Sequence, residues 1–346
     1  MTPNNDRKLC FYFDIFHAMR FFKYWHDPHN ARTPFPPLSQ AGFLALLAFA
    51  WAFSVEVNAQ NLPNHTAIIA DDVYSYGATG DAQSMFVVTG DGVIAFESFN
   101  SVHAKGLLEA IKGVTDQPVK YLLHSHNHWD HASGGQIFKD AGATTLAHVE
   151  AYEWMAANPG RDMAVPDESW GGTQKTINMG NAKVELHYFG MNHGLGMTVF
   201  LLPEKDVAYI ADLAVPNRVL FSIVPDFNIK EWERTLEEII KLDFEKAVYS
   251  HNNKENPLAG GTKQDTIDNL QFIRDLRAAM YADFQKGTNP MMVPNVVRVP
   301  KYKDWAMYDQ WLELNAWRLL LDDFMGPFPW RPDHAYQAKS KKSASS

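Results

Sequence analysis

From Ile68 to Phe99 the apolar and β-branched residues come in short runs broken by turn residues, a pattern that predicts strands. Met85 to Thr89 and Val93 to Phe96 flank Gly90-Asp91-Gly92, which reads as a hairpin. The period then changes. Leu107, Leu108 and Ile111 share one side of a helix over 104–114, and Val119 to Leu123 reads as a buried strand. Helix-like and strand-like segments alternate through Gln136 to Ala141, Thr144 to Ala147 and Val149 to Ala157. Three strand candidates follow, Lys183 to Phe189, Met197 to Leu202 and Val207 to Ile210. A helix from Lys230 to Leu242 then leads into a last strand, Ala247 to Ser250. Such a mixture implies sheets covered by helices rather than a pure sandwich.

The pattern changes again after residues 257–261, Pro-Leu-Ala-Gly-Gly, which read as a flexible link. Residues 264–285 place Ile267, Leu270, Ile273, Leu276, Met280 and Phe284 on one helical stripe. After a Pro- and Val-rich connector, a second helix near 303–325 carries Trp305, Trp311, Leu312, Trp317, Leu320 and Phe324. This aromatic stripe reads as core packing onto the main domain rather than a cofactor or dimer surface. The Lys- and Ser-rich tail after Ala338 reads as disordered.

At the other end, residues 41–55 form an uncharged run of 15. At 1.5 Å per residue it spans roughly 22 Å, short of the ~30 Å hydrocarbon core of a bilayer. It suits a signal-peptide core, and Val57 and Ala59 supply the small residues that place cleavage after Ala59. The stretch before the run is long for such a leader, and Met19 is an alternative start; an uncleaved anchor and a buried apolar helix are the competing readings. The expected organisation is a leader over 1–59, a main domain over 60–258, and a helical extension with its tail over 259–346. The expected location is periplasmic or secreted, without stable membrane association after cleavage.

Composition sharpens this picture. With 46% hydrophobic and 21% charged residues, the 346-residue chain is neither disordered nor collagenous. Its formal charge is −9, and −10 once residues 1–59 are removed. No basic block interrupts it, so the expected partner is a small-molecule substrate and no nucleic acid. The single cysteine, Cys10, lies in the leader, so the mature chain has no disulfide and no thiolate ligand. Nothing in the sequence fixes an oligomeric state.

Chemistry concentrates in residues 124–131, His-Ser-His-Asn-His-Trp-Asp-His, between a buried strand and Ala132-Ser133-Gly134-Gly135. Imidazoles two apart at a strand end project to the same side, so His126 and His128 can bind one metal. Where the chain turns, Asp130 and His131 can point at a second. Zn²⁺ accepts such nitrogen and carboxylate donors, and two ions ~3.5–4 Å apart can share a hydroxide.

His126-x-His128-x-Asp130-His131 followed by x-x-Gly-Gly resembles the HxHxDH signature of the metallo-β-lactamase superfamily. The resemblance covers about residues 66–255 and implies an α/β fold, a four-layer αββα sandwich, here with a helical C-terminal extension. Gly190-Met191-Asn192-His193-Gly194-x-Gly196 is similar to the segment that supplies a third histidine. Ile210-Ala211-Asp212-Leu213 resembles the one that supplies a bridging aspartate, and Tyr249-Ser250-His251-Asn252 the one that supplies the last histidine. The resemblance implies one ion on His126, His128 and His193, and another on Asp130, His131, Asp212 and His251. Departures are Ala211, where many relatives have Gly, and Asn252-Asn253, which replace the usual Gly after the last histidine. His124 reads as a supporting or packing residue, and His103, His148 and His187 fit no ligand spacing.

The activity this implies is that of an exported dinuclear zinc hydrolase. It would cleave a small cyclic amide or ester (a β-lactam, a lactone or a related ester) by hydroxide attack, with Asp130 orienting the hydroxide and passing its proton to the leaving group. The alternatives are a mononuclear iron oxygenase of the persulfide dioxygenase type and a thioester hydrolase of the glyoxalase II type. The Trp residues of the extension, with Trp129 and Trp170, are candidates for an apolar pocket wall, although each reads more simply as packing.

Overall fold

A computed structural model describes residues 62–326 apart from 79–80, 161 and 225–226. The leader, its cleavage point, Cys10 and the tail after Ala338 lie outside the described residues.

Seven strands form the first sheet in chain order: β1 (Thr66–Ala70), β2 (Val73–Tyr76), β3 (Ser84–Val88), β4 (Val93–Phe96), β5 (Val119–Leu123), β6 (Thr144–His148) and β7 (Glu168–Trp170). The first four pair antiparallel, and β4 to β7 pair parallel. The second sheet has the order β13-β12-β11-β10-β9-β8. Its strands are β8 (Gln174–Met179), β9 (Ala182–Tyr188), β10 (Thr198–Leu202), β11 (Val207–Ile210), β12 (Lys246–Tyr249) and β13 (Gly261–Thr262). Only β11 and β12 pair parallel in it.

Alternation decides which face each side chain takes. In β4, Ile94 and Phe96 point into the interior between the sheets, while Val93 and Ala95 join an outer cluster with Leu107 and Ile111 of α1 (Ser101–Val114). The sheets meet at Phe96, whose ring lies 5.2 Å from Phe200 and 5.9 Å from Tyr209. Asn100 caps α1 by accepting from the backbone N–H groups of Val102 and His103, each at 3.0 Å. Four shorter helices complete the connections on this side and the far side: α2 (Trp129–Ala132), α3 (Gly135–Asp140), α4 (Val149–Ala157) and α5 (Ile229–Lys241). Trp232, Leu236 and Ile239 of α5 pack on the second sheet together with Phe272, Ile273 and Leu276 of α6 (Lys263–Gln285). The result is the expected α/β fold of two mixed sheets with helices outside them.

The C-terminal region adds α7 (Val293–Val296) and α8 (Tyr308–Met325). Trp305, Trp311 and Trp317 pack against the main core, as the packing reading of the stripe requires, while Phe324 is exposed. The second helix was expected from about 303; a 3-10 turn at Pro300–Tyr302 and Met307 at φ 63° delay it to Tyr308. Residues 257–261 are not a flexible link. Pro257–Ala259 is a 3-10 turn, and Gly261 and Thr262 pair with Ala247 and Lys246 of β12. A capping box between Thr262 and Asp265 then starts α6 directly. Besides β13, two strands escaped the sequence pattern, β7 and β8. In β8 the first three residues are polar and exposed, and only Ile177 and Met179 turn to the core, too short an alternation to mark a strand. Among the described residues no helix is long and apolar enough to cross a membrane.

Candidate metal centre

Every residue singled out from sequence for ligation arrives at one end of the sandwich, at strand ends and the loops after them. After β5, Ser125 is tied to β4, its backbone N–H donating to the Glu97 carboxylate. Asn127 then joins the loop to the 193–196 segment: its N–H donates to Leu195 O at 3.2 Å, and its Oδ1 accepts from Leu195 N at 2.6 Å. These bonds carry His126 and His128 up to His193. Gly194 is required there, because at φ +64° an added Cβ would lie 2.8 Å from Asn127 Oδ1 and 3.1 Å from His128 Nε2.

His126, His128, His193 and Asp212 each present one ligand atom, all within 4.8 Å of one another. Asp130, His131 and His251 form a second such group. Asp212 connects the two. Its Oδ2 lies 3.1 Å from His193 Nε2, 3.1 Å from His131 Nε2 and 3.9 Å from His126 Nε2, and its Oδ1 lies 3.4 Å from His251 Nε2. Asp212 follows β11 at φ 35°, and Ser250 fixes it by donating from Oγ to Oδ1 at 2.9 Å while accepting from Asp212 N at 3.0 Å. Asp130 differs from the rest: its carboxylate is 72% exposed, 3.8 Å from His131 Nε2.

The donors fit a metal group on two counts. His126 is fully buried and its Nε2 has no hydrogen-bond partner, a costly state for an imidazole unless a cation takes the lone pair. Ring nitrogens also crowd together, His193 Nε2 to His128 Nδ1 at 3.2 Å and His251 Nε2 to His131 Nε2 at 3.3 Å. The electrostatics agree. Burial, reinforced by the charges of His131, His128 and His193, pushes the His126 pKa well below its ordinary value. For Asp212 burial acts upward, but the charges of His131 and His251 outweigh it and hold the carboxyl well below its usual range. Burial likewise opposes His131, yet Asp212 and Glu97 raise it well above the usual imidazole value.

Several residues in the site were not singled out from sequence. Glu97, at φ 64° and fully buried, places Oε2 2.9 Å from His131 Nδ1 and thereby sets that ring's orientation. Asp81 lies 3.2 Å from His251 Nδ1 and 2.7 Å from Arg218 Nη1. Ser125 Oγ lies 2.7 Å from His126 Nδ1. A buried acid closing the apolar Val93–Phe96 run was the one available cue for Glu97; Asp81 had none. The departures at the last histidine are resolved by Asn252, whose Nδ2 donates to Pro257 O and Gly260 O at 3.1 and 3.2 Å and closes the loop. His124 is buried beneath the loop against Gly135. His103 meets Ser84 Oγ at 3.0 Å, His148 stacks on Tyr188 at 4.0 Å, and His187 lies by Glu185, all outside the cluster.

A cavity of about 420 Å³ opens over the donors. Val215, Val219, Leu220, Phe221, Phe227 and Trp232 supply its apolar side. Trp129 and Trp170, candidates for such a wall, do not line it: Trp129 packs toward Trp154 and Trp170 against His148.

Comparison with known proteins gives a family match, one partial relative and several structures of like fold. The metallo-beta-lactamase superfamily matches residues 78–251. The 2,4-dinitroanisole O-demethylase subunit alpha of Nocardioides sp. (strain JS1661) is 29% identical over 167 residues, 47% of this chain, which spans about half (51%) of that protein. Among solved structures, the metallo-beta-lactamase from Pontibacter korlensis aligns with a TM-score of 0.52 at 18% identity, over 61% of this chain and 98% of its own. The stereoselective inverting sec-alkylsulfatase Pisa1 from Pseudomonas sp. aligns with a TM-score of 0.60 at 14% identity, over 75% of this chain and 50% of its own. These structural likenesses speak for the fold alone. With the matched segment running from just before Asp81 to His251 and enclosing all seven donors, the chain belongs to the metallo-beta-lactamase superfamily.

Proposed function

We propose that this chain is a dinuclear zinc hydrolase that cleaves a small ester or cyclic amide, with His126, His128 and His193 holding one ion, Asp130, His131 and His251 the other, and Asp212 reaching both. The observation that carries this reading is the Asp212 carboxylate, 3.1 Å from a ring nitrogen of each histidine group. Neutral imidazoles with a few carboxylates are a donor set suited to Zn²⁺, and no thiolate takes part. Bound zinc lowers the pKa of water toward ~7 and polarises a carbonyl or similar acceptor.

The protein residues do the rest. Asp130, exposed at the cavity floor, is free to accept a proton at its carboxylate and return it to the leaving nitrogen or oxygen. Glu97 orients the His131 ring, and Asp81 lies within ion-pair range of His251, so the donors need little reorganisation as charge develops. The apolar side of the cavity excludes water from the scissile bond and receives the substrate's carbon skeleton. Nothing in this arrangement selects the leaving group, which accords with relatives described as an O-demethylase subunit and an alkylsulfatase. An iron oxygenase needs one metal position, whereas seven donors in two groups favour two. Export rests on the 41–55 run and the small residues before Gln60.

The test is hydrolysis by metal-free and zinc-loaded protein of a panel: nitrocefin, acyl-homoserine lactones, p-nitrophenyl esters and thioesters. Zinc-dependent turnover of an ester, lactone or lactam, abolished in His128→Ala, is expected. One iron per chain with oxygen uptake, and no hydrolysis after zinc loading, would overturn the proposal.

A further inference from the structure

The helix α8 touches the cavity wall through the wall's own main chain. Asn315, wholly buried, donates from Nδ2 to Leu220 O at 3.0 Å and to Ser222 O at 2.6 Å. Arg318, nearly a turn further on, donates from Nη2 to Phe227 O at 2.6 Å. Just before the helix, Ala306 donates to Asn217 O at 2.8 Å and accepts from Val219 N at 3.3 Å. Trp311 meets the Phe221 ring at 5.2 Å, with the Arg218 guanidinium 5.7 Å over it.

The tethered segment depends on such support. Asn217, Ser222 and Val224 all have positive φ, 57°, 45° and 44°, a conformation a β-branched residue such as Val224 does not hold unless its surroundings enforce it. This is also the segment whose Val219, Leu220 and Phe221 side chains, with Phe227, face the donors across the cavity. Neither Asn315 nor Arg318 lines the cavity itself.

We propose that α8 is a specificity element, in which Asn315 and Arg318 act as positioning residues that hold the apolar wall receiving the substrate's acyl or aryl group. The substrate class that follows is an ester or amide with an uncharged apolar group of several carbons. The charged lining points the same way. Apart from the ions the donors would hold, the cationic side chain in the lining is Arg218, and its Nη1 is paired with Asp81 at 2.7 Å, so the wall itself offers little to an anionic substituent. The proposal rests on the hydrolase reading for the reaction but not for the wall.

Two measurements on the zinc-loaded full chain separate these. One is calorimetric binding of acetohydroxamate and octanohydroxamate; the other is kcat and KM for p-nitrophenyl acetate and octanoate. The wild type is expected to favour the longer member of each pair. Asn315→Leu and Arg318→Met should cut that preference by about tenfold, chiefly through KM, with zinc content unchanged. Trp311→Ala, at a half-buried position, should shift it in the same direction if Asn315→Leu fails to fold. Equal loss for short and long members, or an unchanged preference in folded variants, would overturn the proposal. Should the wild type hydrolyse neither ester yet show the hydroxamate preference and its loss in the variants, the wall stands and the hydrolase reading falls. Absence of any chain-length preference in the wild type overturns the wall, whatever the hydrolysis shows.

Discussion

Glu97→Gln isolates the support of the second ion from its ligands. The substitution keeps the shape of the side chain and removes its charge. In the wild type the carboxylate can only accept, so the proton of His131 sits on Nδ1, 2.9 Å from Oε2, and Nε2 is left to ligate beside Asp212. The other oxygen accepts from Ser125 N. A glutamine cannot satisfy both partners as acceptors. With its carbonyl toward Ser125, its NH₂ faces Nδ1 and drives the proton to Nε2, where it blocks the ligand. With the amide reversed, its NH₂ confronts the Ser125 N–H. Both groups are fully buried, so water does not relieve the conflict. Loss of a charge-assisted hydrogen bond costs about 1.5–3 kcal/mol, and at 1.4 kcal/mol per decade the second zinc should bind roughly 10–100-fold more weakly. A competition titration against a chromophoric zinc chelator reads both affinities, with thermal melting as the control for folding. Weakening confined to one of two ions is the expected result. A variant that binds both ions as the wild type does would refute the orienting role of Glu97.

Three other consequences are open to measurement. Asp130→Asn should lower kcat at matched zinc content by about 10²–10⁴-fold while leaving the melting temperature of the metal-free protein almost unchanged, because the carboxylate is 72% exposed; stopped assays, metal analysis and calorimetry on one preparation decide it, and unaltered turnover rejects the proton-transfer role. Burial pushes His103 down to about 4 from an ordinary 6.5, so between those values the unfolded chain binds a proton that the fold does not. Its contribution is whole above pH 6.5 and falls by about 3 kcal/mol as the pH drops to about 4; urea midpoints at pH 7 and 5 should therefore shift less in His103→Gln than in the wild type, and equal shifts contradict it. Phe96→Ala, at the contact between the sheets, should cost about 3–5 kcal/mol in a chemical denaturation curve, and a loss below about 1 kcal/mol would mean that the sheets do not pack there.

What could be read from the sequence was what is local in the chain. His126, His128, Asp130 and His131 announce themselves because one turn of loop carries all four donors. Strands such as Val93–Phe96 and Val207–Ile210 coincide with the expected runs because they are buried on both faces, and Val119–Leu123 does so although Lys120 is exposed. His193, Asp212 and His251 became legible only through the order of short motifs resembling a known family. Glu97 and Asp81 stayed hidden because their partners lie 34 and 170 residues away, and a single acid carries no periodicity. The wall of the cavity could not be placed for a related reason. Trp129 and Trp170 pack, as the simpler reading held, whereas Asn315 and Arg318 reach the wall through backbone carbonyls, which no side-chain pattern records.

The central claim, that the two donor groups joined by Asp212 form a two-metal centre, is tested most directly by metal analysis of the purified chain beside Asp212→Ala. The account predicts about two zinc ions per wild-type chain, loss of tight binding of at least one ion in the variant, and hydrolysis that disappears with it. One iron per chain, or an Asp212→Ala protein that keeps both ions and full hydrolytic turnover, would contradict it.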